Sequence, residues 1–431
     1  MFEEKKKYLF LIFILYLTLL SGFFFEEDLI SGASIDYTKI LANKLSLFRS
    51  DFFYYFKNYG ELDLRHSPIF QIFHIIFLNT FDNDIVFRIV NIHLNLLIVL
   101  IFYFCLKIKI KKNILILTSV IFIIPSFRSY SIWPDSFLCG FIFFILSVYF
   151  LLKFIETTKN KKRYYAYMNI FALSLSSYLS PNFAVFSIFY LYIFHDYFKI
   201  SKSLIKIILL NCLLSLPAVF FLFIMGNNFL DLDASTWIKS QTTFSLSNLA
   251  NKIILLPTIF VVYFIPFLIV DFNKTKIFYL SQIKKLKYYH YLIIILPMMM
   301  WKYLSYEEIN GVLGGGGLFY NLLKFFNLFE FYLSIISSIS IFIILLFILN
   351  SLKSTIFIIC LMLSNPQLTI YMAYFDLILI TCIFLFFDMG VFKIQDLFNK
   401  AKNAVIFFSY YLFIFILYIL KENYYNFAEN I

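Results

Sequence analysis

Three consecutive phenylalanines, Phe23, Phe24 and Phe25, run straight into Glu26, Glu27 and Asp28, with Asp36 close behind, in the stretch FFFEEDLISGASIDY at 23–37. Acid is scarce in this chain, at 25 Asp and Glu among 431 residues, so a cluster at the rim of the first apolar segment calls for a reason. One carboxylate is enough to end an apolar helix. A carboxylate held at a dry boundary gains proton affinity, which suits a general base that takes a proton from a hydroxyl. Glu27, Asp28 and Asp36 are the candidates for that work. The plainer alternative, that the acids only stop the apolar segment and repel the lipid surface, stays open beside it.

Arginine is the second signal. The chain has 5 arginines against 31 lysines. The planar guanidinium fork suits two-point binding of phosphate or carboxylate. Arg128 and Asp135 flank one short turn, in FRSYSIWPDSFL. Asp135 also sits where a carboxylate would cap the next helix. Arg88, Asn91 and Asn95 recur at three- and four-residue spacing, giving one polar stripe on a helix that should face the bundle interior. Interhelical hydrogen bonding accounts equally well for the two asparagines. His66 stands before Ser67-Pro68, where it would bind an anion or cap the following helix.

The elements that hold these residues follow from composition. The chain is 62% hydrophobic, 22% aromatic and 14% charged, beyond what a water-soluble domain of this length carries. Its apolar runs are continuous rather than alternating, which disfavours a membrane β-barrel. The expected class is an all-α polytopic transmembrane bundle forming one domain over 1–431, with about 13 spans. These fall near 8–25, 85–106, 113–127, 136–154, 164–180, 182–198, 207–225, 253–270, 290–304, 329–349, 354–365, 372–388 and 404–420. The run after Ser67-Pro68 is too short to cross, so 67–81 is expected to be an interfacial helix within a large first outer loop, 26–84.

The lysine clusters KIKIKK at 107–112, KNKKR at 159–163 and the loop 271–289 then all lie on the inner side, as the positive-inside rule asks. The net charge of +11 therefore reports topology and not nucleic-acid binding. The first segment, with Lys5, Lys6 and Lys7 before it and acids after it, is expected to be a retained anchor with a cytoplasmic N-terminus. The acids, Arg49, Arg65, Arg88, Arg128 and Asp135 then face the periplasm of a bacterial inner membrane. The five cysteines lie in apolar stretches without paired or metal-like spacing.

The order of these features resembles the GT-C superfamily of polytopic glycosyltransferases, and most nearly the protein O-mannosyltransferases and lipid A aminoarabinose transferases. A long first span has acids at its outer end. A large loop closes with RHSPIFQIFHIIFLNTF, whose His66-Ser67-Pro68-Ile69 stands where that group carries an H-P-P-L-like element. Arg88 follows, then the outer turn from Arg128 to Asp135. The resemblance covers about residues 8–155. Two departures are plain: Glu-Glu-Asp plus a separate Asp36 replaces the family's acidic pair, and one proline of the element is a serine.

The resemblance implies a sugar donor carried on a polyprenyl phosphate and a hydroxyl acceptor on a glycan, lipid or protein. Arg128, Arg88 and His66 would hold the donor phosphate, with Asp135 and Arg65 as further substrate contacts. A first-loop carboxylate would be the base, and the reaction would invert the anomeric centre. Neither a cofactor nor a metal is expected. Asp231-Leu232-Asp233 has the form of a metal site without a companion ligand, and the glycine run at 314–317 lacks the GK[ST] of a phosphate loop. A lipid-linked glycan transporter or flippase is the rival from another class; it would show ionisable residues at mid-membrane and discontinuous helices. A glycan polymerase or ligase would share the outer arginines.

Overall fold

The computed structural model describes residues 2–30, 32–41, 50–57, 69–70, 72, 83–223, 246–270, 272–304, 306, 316–326, 331–349, 351–365, 370–386 and 394–429. Among the described residues every regular element is helical. The helices that carry the site and its supports are α1 (Phe2–Phe24), α2 (Asp84–Lys109), α3 (Ile114–Ser119), α4 (Pro125–Ile132), α5 (Ser136–Glu156), α6 (Lys159–Leu179), α7 (Leu246–Ile269), α8 (Phe331–Ile348), α9 (Asp376–Phe386) and α10 (Ala401–Glu429).

Among the described residues, seven helices are long and apolar enough to cross a membrane, or eight if the bent pair Ile114–Ile123 and Pro125–Ile132 counts as one span. This is compatible with an integral membrane protein. The thirteen expected spans are not all of crossing length. The stretches at 182–198 and 290–304 fold as helices of 13 residues each, Phe186–Phe198 and Tyr288–Met300. At 1.5 Å per residue each is about 20 Å long, short of a hydrocarbon core of about 30 Å. Leu352–Leu363 has 12 residues, and α6 spends its first turn on KNKKR. The interfacial helix expected over 67–81 lies outside the described residues, apart from 69, 70 and 72.

The expected span at 113–127 is broken rather than straight. α3 runs through a tight turn, Val120–Ile123, and the chain then bends by 61° into α4. Pro125 opens α4, and Ile124 before it is extended, with φ −80° and ψ 125°. Proline crowds the residue before it out of the helical region and lacks the N–H that a continuous helix would use.

Two further proline breaks are satisfied by side chains. Pro257 and Pro266 lie inside α7, and each frees the carbonyl four residues earlier. Ser337 of α8 donates to the Ile253 carbonyl at 3.2 Å, and Tyr410 of α10 donates to the Val262 carbonyl at 2.7 Å. Where no water is present such partners are obligatory. α5 and α6 approach closely at small residues. Ser176 donates to the Gly140 carbonyl at 2.8 Å, and Asn169 donates to the Ser147 carbonyl at 2.7 Å. A Cβ on Gly140 would stand 3.1 Å from Phe183 and from the Ser176 carbonyl. α4 packs against α1, α2 and α9, and that junction holds most of the candidate residues.

Candidate functional site

The opening acids are placed by how α1 ends. Glu27 N–H donates to the Gly22 carbonyl at 2.9 Å and Glu26 N–H to the Phe23 carbonyl at 3.2 Å. This is a Schellman turn, with Glu26 at φ 54° in the left-handed position where glycine is usual. The turn folds Glu27 back over the last turn of α1. A Cβ on Gly22 would lie 2.4 Å from Glu27 Oε2, so the absent side chain makes room for this carboxylate.

Glu27 meets Arg128 of α4 in a two-point ion pair. Nε to Oε1 is 2.5 Å and Nη2 to Oε2 is 2.7 Å. Arg128 also donates to the Thr18 carbonyl at 2.9 Å, to Thr18 Oγ1 at 3.2 Å and to the Phe122 carbonyl at 3.5 Å. The Phe415 ring of α10 lies 5.0 Å from its guanidinium carbon. The arginine side chain is 2% exposed and its glutamate 14%. A charge this deeply buried requires the partners it has.

Arg88 of α2 is held differently. Its guanidinium carbon stands 3.7 Å from the centre of the Trp133 ring and 4.9 Å from that of Phe23. Nε donates to the Ile132 carbonyl at 3.0 Å, while buried Nη2 has no partner among the described residues. Trp133 ties this group to the first, because its indole N–H donates to the Glu27 carbonyl at 3.2 Å. Tyr37 closes the same wall: its hydroxyl donates to Asp84, and its ring stacks on Phe87. Burial and the bond to Asp84 push the Tyr37 phenol far above its usual range, so it stays a neutral donor. Asn91 donates to the Tyr130 and Ser131 carbonyls at 3.1 and 2.8 Å, which is the interhelical role.

The remaining carboxylates divide. Asp28 is a buried cap: Oδ2 accepts from Gly32 N–H at 3.0 Å, Ser34 N–H at 3.0 Å and Ser34 Oγ at 2.9 Å. Its Oδ1 is buried without a partner among the described residues. Its own N–H donates to Glu422 of α10 at 3.0 Å. Asp36 is exposed in the helical turn Asp36–Leu41. Asp135 caps α5 by accepting from Phe137 N–H at 2.6 Å. Burial pushes the Asp135 carboxyl up to about 7; the bonds from Phe137 and Ser136 N–H oppose this, and the charge of Asp36 adds to it. Asp36 and Asp135, far apart in sequence, therefore face one another electrostatically.

Asp135 ties stability to pH. A folded value near 7 lies above the value of about 3.9 of an unfolded aspartate, so the protonated form favours the fold. That contribution is complete below about pH 4 and disappears as pH rises through about 7. Melting temperatures of the wild type measured against Asp135→Asn should show the wild type losing ground over this window. They should run parallel above it. A difference independent of pH would leave Asp135 a plain cap.

Arg65 and His66 lie outside the described residues, as do Arg49, the Asp231-Leu232-Asp233 stretch and positions 314–315. Among the described residues no group of three His, Cys, Asp or Glu side chains is arranged to hold a metal ion. Several residues with a part in this site were not singled out from sequence: Thr18, Asp84, Ser126, Trp133 and Glu422. Trp133 had a legible signal, being one of three tryptophans in the chain and next to Pro134. Glu422 and Thr18 had none.

The bend between α3 and α4 has its own carboxylate. Asp376, at the start of α9 and 1% exposed, accepts from Ser126 Oγ, from Ser126 N–H at 3.3 Å and from Leu377 N–H at 2.6 Å. On the other side of Arg128, an apolar cavity of about 520 Å³ opens between α1, α2 and α3, lined by Phe13, Tyr16, Leu96, Tyr103 and Phe122 among others. Phe122 thus lines the cavity while its carbonyl accepts from Arg128. Two arginines and a cluster of carboxylates meet around the end of α1, while the apolar cavity lies along its middle and adjoins Arg128 through Phe122. No family model, curated protein or solved structure matches this chain.

Proposed function

We propose that this protein is a membrane glycosyltransferase of GT-C type. It would move a sugar from a polyprenyl-phosphate donor to a hydroxyl of a glycan, lipid or protein acceptor at the outer face of the membrane. The observation that carries the proposal is Arg88, a buried guanidinium stacked on Trp133 whose Nη2 edge has no partner among the described residues. Such an edge beside carboxylates fits an anionic group that arrives with the substrate. The apolar cavity between α1, α2 and α3 suits part of a polyprenyl chain, whose phosphate would lie toward the arginines.

The chemistry follows from the charges. The hydroxyl oxygen attacks the anomeric carbon and its proton passes to a carboxylate. The bond from that carbon to the phosphate oxygen breaks, and arginine stabilises the departing phosphate. Attack opposite the leaving group inverts the centre. Asp135, poised near 7 beside exposed Asp36, is a stronger candidate for the proton acceptor than Asp28, whose Oδ2 is committed to Gly32 and Ser34. In the full topology the shorter helices would complete the crossing set.

A transporter or flippase is the second reading. The 61° bend between α3 and α4, with buried Asp376 at the break, favours it, since broken helices beside buried acids mark substrate pathways.

The test is binding followed by transfer. Undecaprenyl phosphate should raise the melting temperature of the purified protein saturably. Arg88→Met keeps the apolar stem over Trp133 and should weaken this binding by about 10- to 100-fold, the worth of one or two hydrogen bonds to a charged group. A labelled polyprenyl-phosphate sugar should then yield labelled acceptor. Folded wild type that ignores the lipid would overturn the proposal. Binding with lipid translocation in vesicles and no transfer would establish the transporter.

A further inference from the structure

The two arginines differ in one respect that bears on how an anion would enter. Arg88 keeps its buried Nη2 without a partner among the described residues. Arg128 has no donor to spare: its Nε–Nη2 edge holds Glu27 at 2.5 and 2.7 Å, and its remaining N–H groups donate to Thr18 and to the Phe122 carbonyl. A carboxylate and a phosphate compete for the same two parallel N–H groups. We propose that Glu27 is a built-in plug of the anion site, and that a lipid-borne phosphate arriving at Arg88 displaces it from Arg128. This rests on the glycosyltransferase reading and adds the control of its donor site.

Four features fit a plug better than a permanent strut. Glu27 is carried on a turn whose preceding residue, Glu26, occupies the left-handed region at φ 54°. That conformation is costly for a residue with a side chain, so the turn is held by its contacts and not by its own preference. The carboxylate lies over Gly22, the one residue of the last turn of α1 that leaves room for it. Its glutamate side chain is 14% exposed while the arginine beneath is 2% exposed, so the acid is the outer member and the one that can leave. Trp133 touches both stations, stacking on Arg88 and donating to the Glu27 carbonyl.

The charges balance in the exchange. Arg128 is compensated by one anion before and by another after, so no buried charge is left bare. Only an anion can perform the swap; a neutral lipid has nothing to offer the guanidinium. Glu422 of α10 lies close enough to feel the charge of Glu27, and like charges repel. That repulsion favours return of the plug once the phosphate departs, and it keeps Glu27 on Arg128 while the site is empty.

The experiment titrates undecaprenyl phosphate, and inorganic phosphate separately, into the full-length protein in detergent. The variants are Glu27→Gln, which removes the competing charge, and Glu27→Ala, which removes the competing side chain; Gly22 is kept, because a Cβ there would stand against Arg128 and in the place of either anion. Both should bind the lipid about tenfold more tightly than wild type, while the ligand-free proteins melt at lower temperature. The lipid should therefore produce a larger thermal shift in each variant than in wild type. Inorganic phosphate matching the lipid in Glu27→Gln would support the plug and assign the site to phosphate itself. Weak wild-type binding that either variant strengthens well beyond tenfold would support it in its strongest form. Wild type that binds, with both folded variants binding no more tightly, would overturn the plug and leave the glycosyltransferase reading standing. Silence in all three folded proteins would overturn both.

Discussion

Arg128→Leu should lower the stability of the ligand-free protein by about 3–5 kcal/mol, the usual cost of stripping one partner from a buried ion pair. Four acceptors lose their donor at once: the Glu27 carboxylate, the Thr18 carbonyl and hydroxyl, and the Phe122 carbonyl. The carboxylate dominates, because it is left largely buried with no counter-charge. Replacing both partners should behave otherwise. Arg128→Leu combined with Glu27→Leu removes the stranded charge, and a well-packed apolar pair often equals a buried ion pair in stability. The double variant is therefore expected to melt closer to wild type than Arg128→Leu alone does. A double-mutant cycle on melting in detergent reads this directly. Additive losses would mean that Glu27 and Arg128 act separately, which their bidentate geometry denies.

That pair also marks how far the sequence could be read. The acids at the end of α1 and the arginine of the FRSYSIWPD turn stand out from residue type alone, and both belong to one cluster. Their pairing does not show, because 101 residues separate them and no periodicity links the two segments. Likewise Asp28 reads as a candidate general base from its place in the cluster. Its use as a cap depends on where Ser34 N–H points, which local sequence does not reveal.

The all-helical class follows from continuous apolar runs, but the span count does not. Hydropathy gives the same signal for a membrane crossing as for an apolar helix of only 13 residues, as at Phe186–Phe198 and Tyr288–Met300. The break in the third apolar run had a signal in Pro125, since the residue before a proline leaves the helical region. What satisfies that break comes from Asp376, 250 residues away.

Asp376→Ala is expected to cost about 3–5 kcal/mol, from two or so buried hydrogen bonds to a charged group, each worth about 1.5–3 kcal/mol. Ser126 would lose the acceptor for both its hydroxyl and its N–H, and Leu377 N–H would lose its cap. The position is 1% exposed, so water does not readily replace the missing oxygens. The damage should reach the anion site as well. Ser126 opens the same short helix that carries Arg128, and a frayed first turn lets the guanidinium drift from the fork geometry that a phosphate needs. Weaker binding of undecaprenyl phosphate should accompany the lower melting temperature.

Asp376→Asn separates the two readings of the bend. Asparagine keeps one carbonyl oxygen and the shape of the side chain, so a capping role predicts melting and lipid binding between those of wild type and Asp376→Ala. Ser126→Ala should then cost little on top of Asp376→Ala, since the bond is already gone. A transporter that needs a titrating carboxylate at its broken helix has no use for asparagine. Asp376→Asn would then fold like wild type yet be as inactive in translocation as Asp376→Ala, and that pattern would shift the bend from a support of Arg128 to the working centre of the molecule.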